Sequence, residues 1–266
     1  MLLVTGIAGF LSVYAHNIFL YDFFGLTGSL FLSISGTTVL NMIYDRDIDS
    51  LMKRTSCRPL PSGRVSVKQA LVFAVILLTV GLSWAFTLDI LYGTVVFAGL
   101  FIDFVIYTLW LKRRTAWAIL FGGISGGMPI LAGRVLAMSG IDYIGIILCL
   151  AILFWIPTHI MTFSIKYKKD YSKASIPTFP IFYGEKNTRL IITLSSIASA
   201  LFIGFSVIKI GLPTGHIYIL TALSAILFGI SVLSIYKPSE KLNLALFKYA
   251  SVFMLLSMIL IMVARF

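Results

Sequence analysis

The sequence predicts an all-α, polytopic membrane protein of about nine transmembrane helices, and three observations predict it. The 266 residues are 59% hydrophobic and only 12% charged, with a mean hydropathy of +1.00, far more apolar than a water-soluble domain. Apolar segments recur at about 1–20, 24–44, 67–88, 90–111, 115–138, 142–166, 188–210, 216–236 and 244–264, each near the ~20 residues a helix needs to cross the hydrocarbon core. The basic residues fall in alternate connections: eighteen of the 21 Lys and Arg follow the second, fourth, sixth and eighth segments.

The segments justify themselves in turn. The first lacks a basic leader and an obvious small-residue cleavage site, so it reads as a span and not as a cleavable signal peptide. The second is followed by Arg46, Lys53, Arg54, Arg58, Arg64 and Lys68, and the fourth by Lys112, Arg113 and Arg114. The sixth runs into Lys166, Lys168, Lys169, Lys173, Lys186 and Arg189, and the eighth into Lys237, Lys241 and Lys248. Basic connections stay on the cytoplasmic side, so the even-numbered loops and the N-terminus are expected inside a cell membrane and the C-terminus outside. The same rule explains the formal charge of +11 without a nucleic-acid partner. Cys57 and Cys149 offer no disulfide framework. One transmembrane domain over 1–266 is expected.

The most charged stretch is NMIYDRDIDSLMKRTSCRPLPSGR, residues 41–64. Asn41, Asp45 and Asp49 stand four apart; on a helix each such step turns about 400°, so the three side chains share one face. Facing carboxylates need positive charge between them, and hard oxygen ligands suit Mg²⁺, which prefers one or two carboxylates completed by waters and phosphate. Arg54 and Arg58 follow, and Arg forks match phosphate oxygens. This reads as a Mg²⁺–diphosphate site at a membrane surface. The same residues also suit a plain cytoplasmic loop whose acids and bases pair with one another.

A counterpart lies after the sixth segment, in IKYKKDYSKASIPTFP, where Lys166 and Asp170 are again four apart. Two such stretches on one side of the membrane can close over one pocket. A transporter can also carry internal repeats, but its binding residues lie at the midplane, whereas here the charge lies at one interface. The fifth segment contains GGISGGMPILAG, whose Gly122/Gly126 and Gly123/Gly127 pairs let helices approach closely and whose Pro129 can kink the span. Asp103 lies inside the fourth segment, either a functional intramembrane acid or a neutral one bonded to Tyr107. His159 follows Pro157 and serves either packing or a ligand; Arg134 snorkels near the outer end of its segment. A diphosphate held at the surface would place a hydrophobic tail among the helices. Neutralising the leaving diphosphate ionises an allylic C–O bond, and the resulting carbocation requires aromatic faces and exclusion of water.

The 41–64 stretch resembles the first signature of the UbiA-type intramembrane prenyltransferases, and its continuation DxxMxRTxxRPLPSG is similar to their protoheme IX farnesyltransferase (heme O synthase) branch. YTLWLKRRTAWAILFGGISGGMP resembles that branch's loop after the fourth span and its glycine-rich fifth helix. IKYKKDYSKASIPTFPIFYGEKNTR resembles its second motif, with Lys166 where other branches carry Asp. The resemblance implies a catalytic set of Asp45, Asp49, Lys112 and Asp170, with Mg²⁺ on Asp45, Asp49 and Asp170. It implies substrate contacts from Asn41, Arg54, Arg58, Tyr107, Arg113, His159, Lys166 and Tyr171, with His159 toward the porphyrin. The implied reaction moves a farnesyl group from farnesyl diphosphate to the vinyl group of heme B and yields heme O. The chain departs from the branch at Thr158, Ile160, Met161 and Arg134, and a Lys-Pro pair expected before the first span is missing, so a truncated or misassigned start is expected. Two other readings stand beside it: the same chemistry on a quinone-precursor ring or a glycerol-ether phosphate, and a non-catalytic transporter or heme-handling protein.

Overall fold

The structure is a computed structural model that describes residues 1–13 and 20–263. Its helices, in chain order, are α1 (Leu2–Leu11), α2 (Leu20–Tyr44), α3 (Arg46–Leu51), α4 (Val67–Leu88) and α5 (Ile90–Leu100), which continues unbroken as a π-helix over Phe101–Leu111. Then come α6 (Ala118–Met138), α7 (Tyr143–Lys166), α8 (Lys168–Lys173), α9 (Phe179–Phe182), α10 (Gly184–Ile210), α11 (Thr214–Tyr236) and α12 (Glu240–Val263). No strand occurs among the described residues.

Among the described residues, eight helices are long and apolar enough to cross a membrane: α2, α4, α5 with its π-helical extension, α6, α7, α10, α11 and α12. The first expected span, 1–20, differs. Its described helix, α1, has ten residues, which rise only about 15 Å, half the hydrocarbon thickness. Residues 14–19 of that segment lie outside the described ones.

The helix starts are encoded locally. Ser66 and Gln69 form a reciprocal capping box at the head of α4. Asp89 and Asp142 accept the Tyr92 and Gly145 amides, at 2.7 and 3.0 Å, at the heads of α5 and α7. Close packing then sets the helix layers. The backbones of α1 and α6 approach so closely that a Cβ on Gly133 would overlap the Gly6 carbonyl. One buried apolar cluster joins α7, α10, α11 and α12 around Ile152, Ile192, Leu227 and Phe253; a second joins α1, α2, α4, α5 and α6 around Leu30, Tyr92 and Val135. Several buried polar groups are paired across helices, as Trp155 Nε1 with the Ala250 carbonyl at 2.8 Å and Ser199 Oγ with the Ala151 carbonyl at 2.8 Å. The outer faces of α4 and α11 expose Val72, Phe73, Ile76, Tyr218, Ile219 and Phe228, as lipid-facing surface requires.

At one end of the bundle the short elements α3 and α8 meet. Ile48 and Met52 pack against Ile176, with Tyr171 and Ala174 beside them. The two charged stretches that are far apart in the chain are thereby joined over a single opening.

Candidate active site

The α2 helix ends at Tyr44, and Asp45 caps α3. The hydrogen-bond ladder nevertheless runs on through the junction: Asp45 N donates to the Asn41 carbonyl at 2.9 Å and Asp49 N to the Asp45 carbonyl at 2.8 Å. The predicted step of four therefore holds for the backbone. Asp45 and Asp49 are 7% and 5% exposed, and buried carboxylates must be paired. Asp45 is ion-paired with Lys112, and Asp49 with Arg58 at 2.7 Å. One oxygen of Asp45, Oδ1, is buried with no hydrogen-bond partner.

These groups line a cavity of about 220 Å³ together with Arg54, Tyr107, Tyr171 and Thr178. Arg54 pairs with no carboxylate among the described residues; its guanidinium lies 4.8 Å from the Phe163 ring centre and 5.7 Å from that of Tyr167, a cation held in place by aromatic faces. Burial raises the Tyr171 phenol above its usual range, while Arg54 beside it works the other way. Burial opposes the charge on Lys112, but Tyr107 and the Asp45 carboxylate outweigh it, so its ammonium titrates above the ordinary lysine value. The cavity thus offers acidic oxygens and three cationic side chains within one wall.

The π-helix explains how Lys112 reaches this wall. Lys112 N donates to Tyr107 five residues back, at 2.8 Å, and the wider turn rotates Tyr107 and Lys112 toward the α2–α3 junction. Such windings gather at functional sites, and no composition signal in the sequence announces this one.

A second cavity of about 380 Å³ lies against the first. It is mostly apolar, walled by Leu30, Val96, Met128, Ile156 and other helix residues, with Asp103, Ser125 and His159 among its few polar groups. Tyr107, Ile119 and Ile160 line both cavities and stand between them. His159 is stacked between Trp155 and Phe247, with ring centres 4.9 and 4.6 Å away, and its Nδ1 lies 3.2 Å from Ser251 Oγ. It is both a packing residue and a wall residue.

The sequence-expected residues divide accordingly. Asp45, Asp49, Arg54, Arg58, Tyr107, Lys112 and Tyr171 share the polar cavity, and His159 faces the apolar one. Asn41 is not on the polar wall: its amide donates to Asp103 Oδ2 at 2.7 Å. Asp103 therefore bonds Asn41 and Ser125 instead of Tyr107. Arg113 braces the outside, forking onto Asp47 with two 2.7 Å bonds and onto the Tyr44 carbonyl at 2.8 Å. The Arg113 hydrogen bond, above all, holds the Asp47 carboxyl below its usual range. Lys166 and Asp170 line neither cavity. The helix breaks at Tyr167, and α8 turns Tyr171 inward and its neighbour Asp170 aside. Among the described residues no three acidic, His or Cys side chains converge as a metal cluster, and Asp170 stands apart from the cavity that Asp45 and Asp49 line. Sequence reasoning missed Thr178, whose buried Oγ1 has no partner on the polar wall; its place in the second charged stretch was the available signal. It also missed Ser125, a lone hydroxyl between the glycine pairs of α6. Arg134 is not a snorkelling side chain: it is 4% exposed, forks onto Asp142 at 2.9 and 2.7 Å and donates to Ser12 at 2.6 Å.

Comparison with known proteins gives the family. The UbiA prenyltransferase family matches residues 2–259. A protoheme IX farnesyltransferase of Archaeoglobus fulgidus is 38% identical over 200 residues, covering 75% of this chain and 70% of the relative. Protoheme IX farnesyltransferase 1 of Picrophilus torridus is 37% identical over 244 residues, covering 89% and 78%. Among solved structures, a digeranylgeranylglyceryl phosphate synthase superposes with a TM-score of 0.83 at 19% identity over 99% of this chain and 92% of its own. A UbiA homologue from Archaeoglobus fulgidus bound to DMAPP and Mg²⁺ superposes with a TM-score of 0.71 at 15% identity, covering 98% and 94%. The matches run through both charged stretches and the whole helical bundle, and the chain belongs to the UbiA prenyltransferase family.

Proposed function

We propose that this chain, acting as one transmembrane domain over 1–266, transfers a farnesyl group from farnesyl diphosphate to the vinyl group of heme B. The product is heme O, in which the vinyl group has been both prenylated and hydrated. The observation that carries the reading is the adjacent pair of cavities: a cationic and acidic one sized for a diphosphate, and a larger apolar one that shares Tyr107, Ile119 and Ile160 with it. The names of the relatives support the heme acceptor and the farnesyl donor.

The residues fit Mg²⁺. Asp45 and Asp49 present carboxylates to the polar cavity and Asp45 Oδ1, 4.0 Å from the Arg113 guanidinium, accepts no hydrogen bond, the small donor set that Mg²⁺ completes with water and phosphate. The homologue bound to DMAPP and Mg²⁺ supports the same use of the fold. Bound Mg²⁺ would supply charge that stabilises the departing diphosphate. The chain's own residues do the rest. Lys112, Arg58 and Arg54 donate to the diphosphate oxygens as negative charge develops there. Tyr107, which lines both cavities, would offer its ring to the allylic carbon of a substrate whose headgroup and tail occupied them. The apolar walls hold the tail and exclude bulk water. The basic loops 45–66 and 112–114 support a cytoplasmic side for the polar cavity.

Detergent-purified protein incubated with Mg²⁺, farnesyl diphosphate and ferrous heme B, followed by mass analysis of the extracted heme, tests this. A farnesylated and hydrated heme is expected. Unchanged heme together with diphosphate release onto a phenolic ring or a glycerol-ether phosphate would replace the heme reading with another acceptor.

A further inference from the structure

Asp103 is an acid inside a membrane-spanning helix that neither diphosphate binding nor ionisation uses. Intramembrane acids are costly and mark function by default. Its carboxylate lines the apolar cavity and is absent from the polar one. Two neutral donors from different helices hold it: Asn41 of α2 at 2.7 Å on Oδ2 and Ser125 of α6 at 3.2 Å on Oδ1. Four residues on lies Tyr107, which lines both cavities. No cation pairs with it among the described residues.

The proposed reaction, on which this inference rests, leaves a proton in that apolar cavity. The C1–O bond of farnesyl diphosphate breaks and its electron pair leaves on the diphosphate. The vinyl π pair forms the new bond to C1, and the carbon next to the porphyrin ring becomes electron-deficient. Water donates a lone pair to that carbon, and one water proton must then be taken away. No oxidant or reductant is needed.

We propose that Asp103, positioned by Asn41 and Ser125, is the catalytic base that takes this proton. The competing group on the same wall is His159. The two groups differ in their surroundings. Each Asp103 oxygen accepts one neutral hydrogen bond and keeps lone-pair capacity for a proton, whereas His159 is clamped between the Trp155 and Phe247 rings with its Nδ1 on Ser251. Tyr107, a neutral phenol, is a far weaker base.

The test compares wild type, Asp103→Asn and His159→Gln in detergent with Mg²⁺, farnesyl diphosphate and ferrous heme B, reading diphosphate release and the mass of the extracted heme. For Asp103→Asn, hydrated heme should form on the order of 100-fold more slowly, the usual scale of a lost general base. Farnesyl diphosphate binding should stay within about twofold, because Asp103 lies off the polar wall. Asp103→Glu should recover part of the rate. If Asp103→Asn does not fold, Ser125→Ala carries the test, since it removes one donor and leaves the carboxylate; it should slow hydration several-fold. Hydrated heme formed at the wild-type rate by Asp103→Asn, or by Ser125→Ala where that variant must stand in, overturns the proposal alone. So does loss of hydration in His159→Gln with Asp103→Asn unaffected. A wild type that leaves heme unmodified overturns the heme reading, and this proposal with it.

Discussion

Lys112, just past the π-helix, is ion-paired with Asp45, the residue that joins α2 to α3. This contact spans 67 residues of sequence and closes the polar cavity from two sides. Both groups are largely buried, so removing either strands a charge, at a cost of about 3–5 kcal/mol for a buried pair. Lys112→Met should therefore lower the midpoint of thermal unfolding in detergent and also reduce diphosphate release by on the order of 100-fold. Release at the wild-type rate would remove Lys112 from the site.

Asp45→Ala and Asp49→Ala should each abolish Mg²⁺-dependent diphosphate release in protein that still elutes as a folded species. Asp170→Ala should leave much of the activity, because its side chain is on neither cavity wall. Equal losses in all three would restore the three-carboxylate set expected from the sequence.

His159→Ala should weaken heme use more than farnesyl diphosphate binding, since His159 lines the apolar cavity and not the polar one. It also removes two ring stacks, worth about 0.5–1.5 kcal/mol each. Titrating the two substrates separately distinguishes the effects, and equal loss of both would sink the porphyrin contact.

The two glycine pairs of α6 should behave differently. A Cβ on Gly127 would meet the Cys149 carbonyl of α7 at 2.7 Å, whereas one on Gly122 meets only the Tyr107 ring at 3.4 Å. Gly127→Ala should cost about 1–3 kcal/mol by overpacking. Gly122→Ala should be nearly neutral for stability. Melting midpoints of both variants in one detergent decide the matter.

Asp142 gives a pH signature. Burial would raise its carboxyl, but the Arg134 fork and the Gly145 amide overcome this and hold it below the usual range. A lowered folded value means the stabilisation is present above the unfolded pKa of about 3.9 and is lost as pH falls through the folded value. The gap in melting midpoint between wild type and Asp142→Asn should be full at pH 6 and shrink below about pH 4. A gap constant down to pH 3 would show that the ion pair is not its source.

By itself the sequence determined the all-helical membrane bundle, because apolar length and alternating basic loops follow from the bilayer's thickness and charge rule. It also marked most of the polar wall. Asp45, Asp49, Arg54 and Arg58 are close in the chain, and a helical step of four carries its own geometry. Only the tertiary structure decided what required distant segments to meet. It brought Lys112 and Tyr107 to the α2–α3 junction by a π-helix that composition does not reveal. It gave Asn41 to Asp103, sent Asp170 aside through the break at Tyr167, and turned Arg134 inward onto Asp142 and Ser12. Local spacing fixes which side chains share a face. Which of those faces meets a cavity depends on helix packing and on breaks of a single residue, and these are settled by the close fit of the whole bundle.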